Sequence, residues 1–150
     1  MERINGLRRP TNYADVAAFH EKFGLPRPTA PTMINGELLA FRIKFMQEEL
    51  DEYREAIEAG DMPKAFDALI DLVYVAMGTS VLHGFPWQAG WDEVQRANMT
   101  KERATSAEQS KRGTTFDVVK PEGCTAPNIE AILEAYVAAT PRYTPMEADG

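Results

Sequence analysis

The chain has 150 residues, 44% hydrophobic and 26% charged, which fits one soluble globular domain with a core of its own and excludes a low-complexity or fibrous protein. Its formal charge of −7 and pI near 4.9 argue against non-specific binding to a nucleic-acid backbone, which wants a basic face. The longest apolar run, Leu72 to Met77, is far short of the roughly 20 residues of a membrane span, and the first ten residues lack the apolar core of a signal peptide. Cys124 is the single cysteine, so no internal disulfide is possible and a cytoplasmic setting is expected.

In chain order, Thr11 or Asn12 caps a first helix over about 13–23, with Val16, Phe19 and Phe23 at helical spacing and Gly24 as its stop. The stretch 25–33 carries Pro26, Pro28 and Pro31 and reads as an extended connector. A second helix runs over about 35–59. Leu39, Ile43, Met46, Leu50, Tyr53 and Ile57 form an apolar stripe along it. Gly60 ends that helix. Asp61 caps a third, with Pro63 in its first turn, and this helix continues to about His83 before Gly84. Between Leu69 and Met77 it is apolar almost all round except for Asp71, so burial on several sides is expected, completed by a second copy of the chain as a homodimer or homotetramer.

Pro86 opens a fourth helix with Trp87, Trp91 and Val94 on one side. Residues 105–120 read as a basic loop, and Thr125 or Asn128 caps a last helix to about Ala138. The tail 140–150 reads as frayed. No repeat and no strand pair stands out. The expected architecture is an all-α single domain. Within it, 11–33 form the N-terminal helix and connector, 34–101 the catalytic helical core, and 102–139 the basic loop and C-terminal helix, before the 140–150 tail.

The chemistry gathers on the second and third helices. Glu48, Glu49, Asp51 and Glu52 crowd into five residues. On a helical wheel, Glu49 lies about 70–80° from the centre of the apolar stripe, at the rim of the core, where an unpaired charge is costly. Glu-rich helix faces are commonly just solvated, and that alternative stands for Glu48 to Glu55. Asp71, flanked by Leu69, Ile70, Leu72 and Val73, must be protonated, paired or metal-bound. The competing explanation is a buried salt bridge to Arg42 or Lys44. Asp67 lies one turn before Asp71 on the same face. Carboxylates on two neighbouring helices can surround hard cations, and Mg²⁺ or Mn²⁺ suits oxygen ligands. A di-iron site would need Glu-x-x-His pairs. Neither His20 nor His83 follows a carboxylate by three residues.

Downstream, Asn98 continues the side of Trp87, Trp91 and Val94, with Lys101 one turn on. An amide and an ammonium there suit phosphate oxygens, and they suit a helix C-terminus equally well. Lys111 and Lys120 read as further phosphate contacts on the loop, with plain solvation as the alternative. A base pocket is expected at the start of the second helix, from Ile34, Asn35, Leu38 and Arg42, with aromatic walls from Phe19, Trp87 or Trp91.

These residues carry a resemblance. The run Phe45 to Glu52 followed by Asp67 to Asp71 resembles the EExxE…ExxD signature of the all-α NTP pyrophosphatase superfamily, which includes the MazG-like enzymes, the phosphoribosyl-ATP pyrophosphohydrolases and the dimeric dUTPases. The run Glu93 to Lys101 and the run Lys120 to Gly123 resemble downstream motifs of its MazG-like branch in bacteria and phages. The resemblance spans roughly residues 38–133. It implies a MazG-like helical bundle that hydrolyses a nucleoside triphosphate to monophosphate and pyrophosphate, with about two or three Mg²⁺ or Mn²⁺ ions per site. Glu49 and Glu52 match the EExxE pair, Glu48 the preceding acid and Asp71 the final acid of ExxD. The Glu of ExxD falls on Ala68, and Asp67 or Glu48 takes its place. Glu48 or Glu49 is the implied proton acceptor. Asn98, Lys101 and Lys120 match phosphate-facing positions, with Lys101 offsetting charge on the leaving pyrophosphate. The layout is also similar to phage MazG-like enzymes that act on dGTP (MazZ), so dGTP or GTP is the expected substrate, acted on in the host cytoplasm if the chain is phage-encoded. A dUTPase-like or phosphoribosyl-ATP-type activity is the alternative, and a helical interaction module without chemistry is the non-enzyme one.

Overall fold

The computed structural model describes the two short strands at 3–4 and 7–8 and residues 11–140; the frayed tail expected at 140–150 lies outside the described residues from 141 on. The described residues are mostly helical, which bears out the all-α expectation. In chain order the elements are β1 (Arg3–Ile4), β2 (Leu7–Arg8), α1 (Asn12–Lys22), α2 (Gly36–Glu58), α3 (Met62–His83), α4 (Trp87–Asn98), β3 (Glu102–Arg103), a 3₁₀ turn (Ala107–Gln109), β4 (Val118–Val119) and α5 (Ile129–Ala139). β1 pairs with β2 and β3 with β4, both antiparallel. These pairs correct the expectation of no strand pairing. Each strand is two residues long, too short for an alternating pattern to register.

The residues gather into two compact units, Met1–Trp87 and Gln88–Gly150. In the first, α2 and α3 form a helical hairpin and α1 packs on α3. The ends of these helices follow local chemistry. The Thr11 side chain accepts from the Ala14 N–H at 3.1 Å, and Asp61 Oδ1 accepts from the Lys64 N–H at 3.0 Å. Each satisfies an N–H that the first turn leaves without a partner. Gly84 closes α3 with φ of 68°, and a Cβ there would stand 2.9 Å from the Ala30 carbonyl oxygen, so the position needs glycine twice over. The proline-rich connector is tied back to that end: Thr32 N–H donates to the His83 carbonyl at 2.8 Å, and His83 Nδ1 sits 2.8 Å from the Thr32 carbonyl. The core of this unit is Val16, Ala17, Met77 and Val81, with Tyr13, Tyr74 and Trp87 packed against it.

α2 turns a different face inward from the one its apolar stripe predicts. Arg42, Glu49 and Ala56, seven residues apart, are its buried positions. Ile43, Leu50 and Ile57 on the stripe are 56%, 41% and 56% exposed. Arg42 explains part of this. Its guanidinium crosses to α3, donating from Nε to Thr79 Oγ1 at 3.1 Å and from Nη2 to the Val75 carbonyl at 2.8 Å. α3 is likewise divided. Val75 and the run Met77, Gly78 and Ser80 to His83 are buried, while Phe66, Leu69, Ile70 and Val73 are exposed. Asp71 is therefore half-buried rather than sunk in a core, because its apolar neighbours in sequence point away from this chain's own packing. α3 is the one described helix long and apolar enough to cross a membrane by composition, with a mean hydropathy of 1.6, and 44% of that apolar stretch is buried within the chain.

In the second unit the buried residue of α4 is Ala97, with Trp91 and Val94 at least partly exposed. Asn98 is exposed, which corrects its expected place on a core-facing side. Asn128, not Thr125, caps α5, its Oδ1 accepting from the Ala131 N–H at 3.1 Å.

Candidate active site between α1, α2 and α3

Inside the first unit a cavity of about 380 Å³ is lined by Phe19 and His20 of α1, Arg42, Phe45 and Glu49 of α2, and Asp71, Tyr74, Val75 and Gly78 of α3. Two lining groups are polar and buried, each with one atom that makes no hydrogen bond of good geometry. Glu49 is 8% exposed and its Oε2 has no hydrogen-bond partner; His20 is 2% exposed and its Nδ1 has none. Burial pushes the Glu49 carboxyl above its usual range, and the charges of Glu52, Asp71, Glu48 and Asp67 push the same way. Burial lowers the His20 imidazole from its usual value, the Arg42 charge adds to that, and the Pro26 carbonyl opposes it. The imidazole is thus held neutral at pH 7.

The five candidate metal ligands therefore act on one another. Glu49 stands at the electrostatic centre, with Asp71 beside it in the cavity. Glu52 and Asp67 line an adjoining cleft with Glu55, Asp61 and Lys64. Glu48 is exposed and meets Lys44 one turn away, Nζ to Oε1 at 3.7 Å. Among the described residues Asp71 makes no ion pair, so neither Arg42 nor Lys44 supplies the salt bridge that would explain it structurally. An orphaned buried carboxylate oxygen amid four further carboxylates is the environment a divalent cation fits. The side chains do not close into a cage by themselves: among the described residues no three acidic, histidine or cysteine groups converge to ligating distance.

Of the expected base-binding residues, Arg42 lines the cavity, as does the expected wall Phe19. Ile34, Asn35 and Leu38 do not. Ile34 is buried with its N–H directed at His83 Nδ1 at 3.3 Å; Asn35 precedes α2 without a side-chain cap bond; Leu38 is 36% exposed. The connector's attachment to His83 draws this segment to the C-terminal end of α3. Trp87 stacks on Tyr13, centroids 5.6 Å apart and 5° from parallel. The sequence does not single out His20, Phe45, Tyr74, Val75 or Gly78 as lining. For His20 a signal existed, since Val16 and Ala17 precede it by four and three residues on the buried face of α1.

The expected phosphate contacts belong to the second unit. Lys101 Nζ donates to Asn98 Oδ1 at 2.8 Å, and Lys111 and Lys120 are exposed on the loop between α4 and α5. The best-organised charge there is Glu93, which accepts two bonds from Arg96 at 2.9 and 2.8 Å and one from the Asn128 N–H at 2.9 Å. These bonds hold its carboxyl down at about 2.

Comparison with known proteins gives a result consistent with this geometry. No curated protein matches the chain. The family model of the phosphoribosyl-ATP pyrophosphohydrolases matches residues 16–98, a span that contains every residue lining the cavity. Because that match takes in more than half of the sequence, the chain belongs to the phosphoribosyl-ATP pyrophosphohydrolase family, whose members are all-α hydrolases of phosphoric anhydride bonds.

Proposed function

We propose that the protein hydrolyses a nucleoside triphosphate to the monophosphate and pyrophosphate, with guanine nucleotides, dGTP or GTP, as favoured substrates. The observation that carries this reading is Glu49, a buried carboxylate with an unpartnered oxygen and four carboxylate neighbours, facing a cavity with aromatic walls. Glu49, Glu52 and Asp71, with Glu48 and Asp67, would hold Mg²⁺ or Mn²⁺. When bound, such ions neutralise the triphosphate and make water more acidic. The chain's own groups do the rest. Glu49, already raised above the ordinary carboxylate range, suits a general base for the attacking water, with Glu48 as its alternate. Asn98, Lys101, Lys111 and Lys120 of the second unit are proposed as phosphate-binding residues in their own right, with Lys101 the one that would offset charge on a departing pyrophosphate.

A second reading is favoured by the family match itself: phosphoribosyl-ATP as the substrate. A dUTPase-like preference is the remaining variant of the first. One assay separates them. The protein is incubated with Mn²⁺ or Mg²⁺ and, separately, each (d)NTP and phosphoribosyl-ATP, and pyrophosphate release is followed. Release from dGTP or GTP above the other triphosphates is the expected result. A strong preference for dUTP reverses the base choice, and release from phosphoribosyl-ATP alone establishes the second reading. No release from any of them removes the hydrolase reading and leaves a helical interaction module.

Self-association is part of the same proposal. Ile43, Leu50 and Ile57 of α2 and Phe66, Ile70 and Val73 of α3 are each at least 41% exposed, more apolar surface than two hairpin helices of a monomer ordinarily show to water. A homodimer or homotetramer covering them is expected by light scattering at micromolar concentration, and a monomer there contradicts it.

A further inference from the structure

The cavity has two unlike ends. Glu49 and Arg42 are seven residues apart on α2, and Asp71 and Gly78 are seven apart on α3. Two helical turns therefore separate the carboxylate end from the Arg42–Gly78 end by about 10 Å along the helices. Phe19, Phe45 and Tyr74 complete the lining. Phe19 meets Tyr74 edge-on at 5.6 Å, and the Arg42 guanidinium carbon lies 5.5 Å from the Phe45 centroid. If phosphates bind at the carboxylate end, aromatic surface of this kind suits a planar ring at the other end.

At that end two polar heads converge on the one residue without a side chain. A Cβ at Gly78 would lie 2.8 Å from Arg42 Nη2 and 2.9 Å from His20 Nε2. Neither head is saturated. A guanidinium has five N–H groups. Arg42 uses Nε on Thr79 and one Nη2 N–H on the Val75 carbonyl, which leaves the Nη1 amine and a second Nη2 N–H for a ligand. His20 is 2% exposed and turns Nε2, not the orphaned Nδ1, toward this end of the cavity. A neutral imidazole has one donor and one acceptor nitrogen. With its proton on Nδ1 the imidazole presents Nε2 as an acceptor, and the site then offers a hydrogen-bond donor beside an acceptor.

Resting on the nucleotide reading above, we propose that Arg42 and His20 form a base reader that accepts a carbonyl adjacent to a ring N–H. Guanine and hypoxanthine present that edge as O6 beside N1–H, and uracil presents it as O4 beside N3–H. Adenine and cytosine present the reverse, an amino group beside a bare ring nitrogen. Arg42 donates to the carbonyl oxygen and His20 accepts from the ring N–H. An amino base in the same pose sets N–H against N–H and leaves buried polar groups unpaired on both sides, the kind of mismatch that gives large discrimination. His20 is on this account a specificity-determining residue, and the 2-amino group of guanine is not what is read.

The test has two arms. In the first, kcat/KM for pyrophosphate release with Mn²⁺ is measured for dGTP, dITP, dUTP, dATP and dCTP on the wild type, His20→Leu and His20→Asn. In the second, binding of GMP, IMP and UMP against AMP and CMP is measured by calorimetry without metal. We expect dGTP and dITP within about tenfold of each other and dATP at least about 100-fold below both, with dCTP likewise below dUTP. His20→Leu compresses those ratios to under about tenfold, and His20→Asn, which keeps an acceptor, retains part of them. Wild-type rates for dATP or dCTP close to those of their oxo counterparts overturn the proposal, as does full discrimination in a folded His20→Leu protein. Should that variant fail to fold, the wild-type panel and the monophosphate titrations decide by themselves. The arms also separate this proposal from the one beneath it. Oxo-selective monophosphate binding with no triphosphate hydrolysis defeats the hydrolase reading alone, and hydrolysis without base selectivity defeats the base reader alone.

Discussion

The cavity in the first unit and the Glu93 cluster in the second are built from the same residue types and use them in opposite ways. Glu93 is satisfied throughout: Arg96 holds both of its oxygens, the Asn128 N–H adds a third bond, and Arg96 continues to Thr125 Oγ1 at 3.2 Å. Asp117 repeats the pattern with Ser110 and Arg112, each at 2.7 Å. Glu49 and His20, by contrast, are buried with an atom each left unpaired. Buried polar groups are normally paired, because leaving one unmade costs about 1–3 kcal/mol. Both residues line one cavity, which suits that cavity to receive something that is not part of the chain. The paired cluster reads as architecture, and the unpaired one as the candidate site.

The sharpest way to break that comparison is to neutralise the unpaired carboxylates. Glu49→Gln and Asp71→Asn are each expected to lower kcat/KM for pyrophosphate release by at least about 100-fold while circular dichroism stays native. The thermal response separates a site from architecture. Glu49→Gln removes a buried charge that four neighbours repel, so the metal-free melting temperature at pH 7 should rise, and the further rise that Mn²⁺ gives the wild type should shrink. Lower stability with unchanged kinetics returns Glu49 to a structural role. A smaller effect is expected at Gly78. The Cβ of Gly78→Ala would lie 2.8 Å from Arg42 Nη2 and 2.9 Å from His20 Nε2, so one of those side-chain ends must move aside. The expected signature is a KM raised by about tenfold with kcat less affected, because the residue shapes the pocket without touching the reacting atoms. Wild-type kinetics in Gly78→Ala mean that this end of the cavity holds no substrate.

How much of this was legible beforehand differs between the two regions for physical reasons. Local chemistry read well: Thr11, Asp61 and Gly84 mark helix ends through hydrogen bonds and a backbone conformation that involve only near neighbours. Residue type and spacing single out Glu49 and Asp71, and both line the cavity. The face of α2 was not. Periodicity reports which side of a helix is apolar, and it is silent on whether this chain or another surface covers that side. The stripe through Ile43, Leu50 and Ile57 is apolar and exposed here, while the inward face carries Arg42 and Glu49. The wheel placed Glu49 at the rim of the stripe, and the structure makes it a centre of the buried side. His20 and Gly78 acquire meaning only once α1 and α2 are laid against α3, since their contact spans 58 positions of sequence. Tertiary packing assembled that end of the cavity, and no short motif encodes it.

The smallest expected effect falls on the paired side of the comparison. Glu93 is held at about 2 by Arg96 first and then by the Asn128 N–H. Its ordinary value in an unfolded chain is near 4.3. A carboxylate whose folded value is depressed binds fewer protons in the folded state than in the unfolded one, so its stabilisation is present above about pH 4.3 and is lost as pH falls through about 2. Glu93→Gln keeps the shape of the side chain and removes that linkage. In urea titrations repeated from pH 6 down to pH 2, the wild type should lose stability across the window from about 4.3 to 2 more steeply than Glu93→Gln, whose own stability at pH 6 is lower by a modest amount because the group sits at the surface, where ion pairs are screened. Activity at pH 7 should change by less than about threefold, in contrast to the two orders of magnitude expected at Glu49. If instead Glu93→Gln abolishes pyrophosphate release while the acid limb is unmoved, the Glu93–Arg96 cluster belongs to the catalytic apparatus, and the division between paired architecture and unpaired site no longer describes this molecule.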